Sequence, residues 1–262
     1  MKRCKVISIT FILLSLMFVG TSYAAIDPGT CVGLWLFDEG TGDTAEDSSG
    51  NKNHGTLMNG PTWVDGQFGG ALEFDGADAY VEVPHADSLT MTSEITVAFW
   101  FRTGKQMVEF GDRQAVVGKH YLEYEVGIYP AGAIHTYTSN GSDGYDEGIN
   151  CSIVEELGED DWALDKWYHL AWTLNGNHEI VYVNGINVGE YDKANSDTKP
   201  GDHTLEIGRR QGGSLPFTGT VDEVAIYNVA LGEEDINVMM QGLTTAVFPA
   251  GKLTTTWGKL RK

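Results

Sequence analysis

Short strand-like segments, each bounded by glycine, proline or aspartate, follow one another along almost the whole chain. Their aromatic and β-branched residues are typical of β-strands, and many of the 33 glycines fall between the segments, where turns are needed. Such segments occur at 33–38, 71–74, 79–83, 95–101, 115–118, 123–129, 133–138, 167–174, 204–207 and 221–227. One helix is expected at 233–240, which opens with three acidic residues. The sequence therefore predicts a single all-β domain, a two-sheet antiparallel sandwich with one short C-terminal helix.

The clearest local pattern is a hairpin around the Asn-Gly pair at 184–185. This dipeptide suits the type I′ turn, whose twist matches that of the two flanking strands. Direct pairing across the turn places Val183 opposite Ile186 and Val181 opposite Val188. We expect these four side chains to share one buried face.

The segment 142–165 holds nine acidic residues and no lysine or arginine. We expect a long loop there. It is either a solvated acidic insertion or a binding or ion-collecting loop at the rim of the sandwich.

The N-terminus has the form of a secretory signal peptide. Three basic residues precede an apolar run at 6–19, and the small residues Ser22 and Ala24, on either side of Tyr23, suit cleavage before Ala25. The run is shorter than the roughly 18 to 20 residues that a membrane span needs, and no later stretch comes closer. We therefore expect residues 1–24 to be removed and the protein to be secreted, periplasmic or held at the cell surface, without a membrane span.

The charge of the chain narrows the choice of partner. Its 37 acidic and 17 basic residues give a formal net charge of −20. This surface repels nucleic-acid phosphates, so no nucleic-acid partner is expected, whereas divalent cations are favoured. The tail at 242–262 is basic, and it is either a frayed terminus or a docking segment for an anionic surface.

Two cysteines, Cys31 and Cys151, lie outside the signal peptide. In an oxidising compartment they could form one disulfide, and the alternative is two free, buried thiols.

Asp222 lies in the strand-like segment 221–227, where simple alternation puts it on the same face as Val224 and Ile226. A buried carboxylate without a partner is costly, so something must compensate its charge. Three solutions are open: hydrogen bonds from loop amides, an ion pair or a bound cation. The basic residues considered for an ion pair are Lys52, Arg209 and Arg210.

Six separated motifs carry a resemblance to a known family. In chain order they are GLWLFDEGTGDTAEDSSGNKNHGTL (33–57), GGALEFDGADAYVEVP (69–84), EITVAFWFR (94–102), WYHLAWTL (167–174), IVYVNGINVG (180–189) and GTVDEVAIYNVALGEEDI (219–236). Together they resemble the bacterial LamG-like domains of the concanavalin A-like jelly-roll superfamily. On this basis we expect a LamG-like domain at 25–241.

The resemblance implies a jelly roll of two curved antiparallel sheets, which usually acts as a secreted, non-catalytic recognition module. Its partner would be a carbohydrate or an extracellular protein, and a structural or surface-assembly role is the alternative. Such domains often bind one structural calcium ion. Carried over to this chain, the resemblance points to Asp222, Asp75 and either Asp38 or Glu39 as calcium ligands.

The predicted ligand contacts are Trp100, Arg102 and Trp172. Trp100 and Arg102 face away from the apolar side of their strand, and Trp172 lies on a strand with two mixed faces. An exposed indole is a stacking platform for a sugar ring. The alternative is that these side chains pack under loops.

An enzyme is the less favoured interpretation. The superfamily includes glycosidases and polysaccharide lyases, but no E-x-D-x-E pattern of paired carboxylates occurs, because Gly127 follows Glu123 and Glu125 at the third position. His135 and Tyr137 share a strand face, as a lyase would require, yet a polar strand exterior explains them equally well. No zinc-binding spacing occurs either. We therefore predict no catalytic residues.

Overall fold

The computed structural model describes residues 26–90, 93–104, 113–139, 145–194 and 199–243. The strands, in chain order, are β1 (Cys31–Trp35), β2 (Thr44–Ala45), β3 (Gly55–Met58), β4 (Thr62–Asp65), β5 (Gly70–Asp75), β6 (Tyr80–Val83), β7 (Glu94–Thr103), β8 (Gln114–His120), β9 (Tyr124–Ile128), β10 (Ala133–Ser139), β11 (Tyr145–Ser152), β12 (Tyr168–Asn175), β13 (His178–Val183), β14 (Ile186–Asp192), β15 (Leu205–Ile207) and β16 (Thr218–Tyr227). The helices are α1 (Val154–Leu157) and α2 (Glu233–Met239). The predicted all-β class with one short C-terminal helix is confirmed.

The strands form two antiparallel sheets. Sheet A has the order β14-β13-β12-β7-β16-β5-β4, and β1 pairs with β16 beside β5. Sheet B has the order β11-β10-β9-β8-β15-β6-β3-β2. Strands distant in sequence are therefore neighbours in space, as in β7 and β16.

Alternation along each strand fills the space between the sheets. In β7 the predicted inward residues Ile95, Val97, Phe99 and Phe101 all belong to the inter-sheet core. A second apolar cluster covers part of the outer face of sheet A, where residues of α2 pack against small side chains of the central strands. Burial of each large apolar side chain contributes about 1.5–3 kcal/mol, so these two clusters hold the sandwich together.

The predicted acidic loop is wrong in part. The segment 142–165 contains β11, which pairs with β10 at the edge of sheet B, and the short helix α1. Ile149 of β11 is buried in the inter-sheet core. An edge strand can leave its polar residues in solvent, so acidic composition did not exclude a strand here.

The face predicted for Asp222 is also wrong, because β16 contains a β-bulge. Its register against β7 shifts between Asp222 and Ala225, and Glu223 has a φ of 47°. Val221 and Val224 consequently both point into the inter-sheet core. Asp222 instead lies on the outer side of sheet A, opposite Trp100. A bulge changes the alternation of faces, and alternation alone cannot reveal it.

The hairpin turn is confirmed, since Asn184 and Gly185 have φ values of 51° and 77°, both positive as type I′ requires. Val183 pairs with Ile186, but a register shift places Val181 opposite Gly189 rather than Val188. Val181 is fully buried, whereas Ile186 remains 43% exposed. The predicted apolar face therefore ends one residue pair before the turn.

Cys31 and Cys151 are free thiols in the structure, so the predicted disulfide is absent from it. Cys31 belongs to the apolar cluster on the outer face of sheet A, whereas Cys151 packs against the inter-sheet core. Burial raises the pKa of each thiol to about 12. At neutral pH both thiols are therefore protonated.

We expect two thiols to react with a thiol-specific dye when protein produced from Ala25 onward is unfolded without reductant. Reaction in the folded protein should be slow, because a buried thiol forms little thiolate. The Cys151→Ser variant is the control and should retain one reactive thiol. If the unreduced wild-type protein reacts only after a reductant is added, the two cysteines form the bridge after all.

The predicted signal peptide and the basic tail lie outside the described residues, apart from the first residues of the tail. No helix within the described ranges is long and apolar enough to cross a bilayer.

Candidate functional site

The outer face of sheet B carries a row of polar and aromatic side chains. In β9 and β10, Tyr124, Val126 and Ile134 point into the inter-sheet core. The alternate residues of these strands therefore point outward. Among them, Glu125 pairs in register with Tyr137, and His135 pairs with Gly127.

Two arginines lie over this face. Arg210 reaches Glu125 from the loop after β15 and donates through its Nε to Oε2 at 2.8 Å, with a further bond from Nη2 to Oε1. Its guanidinium carbon lies 5.0 Å from the ring centroid of Tyr137. Arg113 donates to the hydroxyls of Tyr129 and Tyr137, the first at 3.0 Å. Planar guanidinium groups thus cover aromatic rings and hold phenol oxygens in place.

His135 lies between two tyrosine rings. Its ring centroid is 4.0 Å from that of Tyr137 and 5.3 Å from that of Tyr129. The imidazole is only 4% exposed, yet neither of its nitrogens has a hydrogen-bond partner among the described residues. Burial, then the positive charges of Arg113 and Arg210, lower the pKa of His135 to about 4. At neutral pH it therefore presents one N–H donor and one nitrogen acceptor.

We call Arg113, Tyr129, His135, Tyr137 and Arg210 the outer-face cluster. Sequence analysis did not identify it, because its residues span about a hundred positions of the chain and only the shared face of His135 and Tyr137 was visible. The structure shows that this pair is more than a polar strand exterior, since both residues are buried.

Further charged pairs lie in sheet B and in its loops. Arg209 binds Glu206 at 2.6 Å and lies over the ring of Tyr80. Lys119 and Glu123 form a buried pair, also at 2.6 Å. Because these charged groups bind one another, we do not count them as part of the outer-face cluster.

We expect the Arg210→Gln variant to lose about 3 kcal/mol of unfolding free energy. Glu125 is 3% exposed at its side chain, and the substitution leaves its carboxylate buried without a cation. Adding Glu125→Gln removes that buried charge, so the double variant should recover most of the loss. Urea unfolding measures both, and a double variant as unstable as the single one would contradict this account of the pair.

Asp222 forms a second polar site, on the outer side of sheet A. It is fully buried, and its Oδ2 accepts a hydrogen bond from the Phe68 amide at 2.9 Å. Its Oδ1 has no partner within the described part of the chain. Burial, reinforced by the charge of Asp38, raises the pKa of Asp222 to about 7. A loop amide therefore satisfies the Oδ2 atom of Asp222, whereas the buried Oδ1 atom has no hydrogen-bond partner among the described residues.

The two arginines considered as ion-pair partners of Asp222 bind glutamates of sheet B instead. Trp100 of β7 is paired in register with Asp222 of β16. His169 of β12 is paired in register with Trp100 on its other side. The Trp100 Nε1 and the His169 Nδ1 also lack partners in the described ranges. Three neighbouring strands thus each contribute one buried, unpaired polar atom.

Among the other predicted calcium ligands, only Asp38 is placed with Asp222. Its Oδ1 accepts from the Gly70 amide at 2.8 Å, so these two carboxylates hold the loop 66–70 from two sides. Glu39 accepts from the amide of Glu46 and faces a different loop.

Asp75 is remote from Asp222 along β16. It pairs in register with Thr218. Thr218 is four residues before Asp222 in the same strand, which corresponds to roughly 13 Å. The carboxylate of Asp75 caps the Ala77 amide. No group of three or more His, Cys, Asp or Glu side chains in the described residues has a metal-holding arrangement. Of the predicted ligands, Asp222 and Asp38 are thus the two whose carboxylates hold the same loop.

The predicted sugar platforms are not exposed. Trp172 is fully buried in the inter-sheet core, and its Nε1 donates to Glu179 at 3.0 Å. Trp100 is 6% exposed and is covered by the ring of Phe68. Trp100 follows the alternative that such residues pack under loops, whereas Trp172 lies in the core between the sheets, which neither interpretation predicted. Arg102 is half-buried and lies over Trp167.

A family model described as Laminin_G_3, of the concanavalin A-like lectin/glucanases superfamily, matches residues 75–237, more than half of the chain. The chain belongs to this family. No curated protein sequence matches the chain. The predicted resemblance is thereby confirmed, and the two-sheet sandwich is the jelly roll of the concanavalin A-like superfamily.

Several solved structures with a similar fold are described as binding domains. The binding domain of Paraclostridial Mosquitocidal Protein 1 is 16% identical, with a TM-score of 0.67 over 81% of this chain and 52% of that one. The binding domain of botulinum neurotoxin serotype D is 14% identical, with a TM-score of 0.66 over 82% and 52%. This member of the family thus spans about half the length of those toxin domains.

A third similar structure is domain 4 of AbnA, a GH43 extracellular arabinanase from Geobacillus stearothermophilus, in complex with arabinotriose. It is 19% identical, with a TM-score of 0.60 over 79% of this chain and 97% of that domain. At these identities the comparisons establish the fold of the present family member.

Proposed function

We propose that this protein is a secreted, non-catalytic recognition module that binds carbohydrate through the outer-face cluster. The observation that carries the proposal is His135, a buried imidazole whose two nitrogens have no partner among the described residues. Both nitrogens are enclosed by neighbouring side chains, so a neutral imidazole here could donate to one sugar hydroxyl and accept from another only after those side chains move aside. Of the tyrosine rings beside it, that of Tyr129 is half-buried and offers an apolar face, which suits the C–H face of a sugar ring.

The similar structures support a binding role. One is an arabinanase domain in complex with arabinotriose, which this chain covers almost completely. Others are binding domains of toxins. The signal-like segment 1–24 would place the module outside the cytoplasm, where polysaccharides are available.

A structural calcium ion is part of the proposal. Calcium takes oxygen ligands, and the open Oδ1 of Asp222 together with Asp38 would supply carboxylates. The ion would neutralise their mutual repulsion and fix the loop 66–70, to which both carboxylates are hydrogen-bonded. Its role would be to stabilise the fold.

An oligosaccharide array tests the binding function, with the protein in its exported form. The wild type should bind at least one glycan, and His135→Phe should lose that binding. Phenylalanine keeps a ring between the two tyrosines and removes only nitrogens that have no partner among the described residues, so the melting temperature should not fall. His178→Phe, at an exposed position of β13, is the matched control and should bind normally.

Three outcomes would contradict the proposal. Failure to bind any glycan would favour the structural or surface-assembly role. Equal binding by His135→Phe would move the ligand site elsewhere. Release of reducing ends or unsaturated sugar from polysaccharides would indicate an enzyme.

A further inference from the structure

Two tyrosine rings enclose His135 from both sides. The ring centroids of Tyr137 and Tyr129 lie 4.0 and 5.3 Å from that of the imidazole. Their hydroxyl groups meet at a single atom, because Arg113 donates to both of them through its Nη1. The two hydroxyls also form a hydrogen bond with each other. The guanidinium therefore completes an enclosure in which neither nitrogen of His135 is accessible to solvent.

The side chains of this enclosure are held with unequal strength. Tyr137 lies within β10, which is paired on both sides, with β9 and with β11. Arg210 binds the buried carboxylate of Glu125 through two guanidinium nitrogens. Arg113 is half-buried and precedes β8, and its two acceptors here are neutral phenol oxygens, which hold a guanidinium less strongly than a carboxylate does. Of these side chains, Arg113 is therefore the one that moves most readily.

We propose that Arg113 is the gate of the outer-face cluster. In the closed state it blocks His135, and rotation of its side chain away from the two hydroxyls admits a ligand to the imidazole. The identity of that ligand rests on the proposed function, whereas the gate is a property of the free protein. Only the open fraction of the molecules binds, so the gate reduces the apparent affinity by that fraction and slows association.

Diethyl pyrocarbonate tests the gate without a ligand, because it modifies neutral imidazole nitrogens that solvent reaches. The pKa of His135 is about 4, so at pH 7 its rate of modification reports access. Arg113→Ala should raise that rate at least about tenfold, the effect of losing one hydrogen bond from a charged donor. Peptide mass spectrometry resolves two internal controls. The buried His169 should react slowly in both proteins, and the exposed His178 should react rapidly in both.

Two further variants complete the test. Tyr129→Phe keeps the ring but removes one acceptor of Arg113, so His135 should again react faster than in the wild type. Lys166→Ala is the matched control, because it removes a cation that lies 4.9 Å from a different tyrosine ring, that of Tyr168. It should leave the rate at His135 unchanged.

Two results would overturn the gate. One is a wild-type rate at His135 equal to that at His178, and the other is a folded Arg113→Ala variant that reacts no faster at His135 than the wild type. If Arg113→Ala accelerates His169 equally, it has lost the fold, and Tyr129→Phe compared with Lys166→Ala then decides in the same way.

Association kinetics connect the gate to the proposed function. For the glycan that binds best on the array, Arg113→Ala should raise the association rate constant at least about tenfold. Loss of an ordinary contact changes mainly the dissociation rate. An unchanged association rate with faster dissociation would therefore overturn the role of the gate in binding and leave carbohydrate binding standing. If neither protein binds any glycan, the proposed function fails, and the reactivity of His135 alone decides whether Arg113 is a gate.

Discussion

Calcium should raise the melting temperature of this protein, and Asp222→Asn should abolish most of that rise. An ion at 100 times its dissociation constant, bound only by the folded state, stabilises by about 2.7 kcal/mol. For a domain of this size the shift is roughly 5 to 10 °C. Chelation should reverse it. Thermal melts of wild type and variant, each with calcium and with chelator, measure the effect.

The chelated protein should also lose stability as pH rises. The folded pKa of Asp222 is about 7, against an ordinary value of 3.8. The folded state therefore favours the protonated carboxyl, whose stabilising contribution is complete below about pH 4 and is lost as pH rises through about 7. A shift of this size corresponds to about 4 kcal/mol. The asparagine side chain does not ionise, so the variant should lack this pH dependence and be no less stable than the wild type at pH 8.

Asp75→Asn is the matched control for the calcium experiment. Asp75 was predicted as a ligand from the resemblance, but it caps a turn about 13 Å from Asp222. Its variant should keep the full calcium response. Two results would contradict the proposal that Asp222 and Asp38 share a calcium ion. One is a wild-type melting temperature that calcium does not change, and the other is loss of the calcium response in Asp75→Asn.

Val181→Asp should lose more than about 4 kcal/mol of unfolding free energy, whereas Ile186→Asp should lose less than about 1 kcal/mol. Both residues were predicted to share one buried face of the same hairpin. In the structure Val181 is fully buried in the inter-sheet core, and Ile186 is 43% exposed next to the turn. Because both variants introduce aspartate, the difference between their losses of unfolding free energy reports the difference in burial of the two positions.

Urea unfolding of the two variants provides the measurement. If Val181→Asp does not fold at all, limited proteolysis of both variants gives the same ranking. Equal losses would mean that Ile186 is buried and that the observed register at the end of the hairpin is incorrect.

Local chemistry predicted much of the fold. Asn184 and Gly185 determine their turn through backbone preference alone, and β7 shows its inward face by plain alternation. Bulges escaped this reasoning because they depend on which strand lies opposite. At Glu223 one extra residue moved Asp222 from the expected inner face to the outer one.

The candidate site was less predictable than the strands. His135 acquires its surroundings from Arg113 and Arg210, which a loop and several strands separate in sequence. Trp172 appeared able to face outward because its neighbours on the strand are mixed, but it pairs with Val97 and Val181 and points inward. Long-range pairing of strands therefore determines which polar residues converge.

The position of β16 has a consequence for the order of folding. This strand, among the last in the chain, lies between β7 on one side and both β5 and β1 on the other. Until Thr218–Tyr227 has left the ribosome, β7 has no partner on that side and the N-terminal strand β1 has none in sheet A. Such non-local closure is slow, in the range of milliseconds to seconds for β-sandwiches. A nascent chain of this protein therefore cannot complete sheet A, and β7 stays unpaired along one edge, until Tyr227 has left the ribosome.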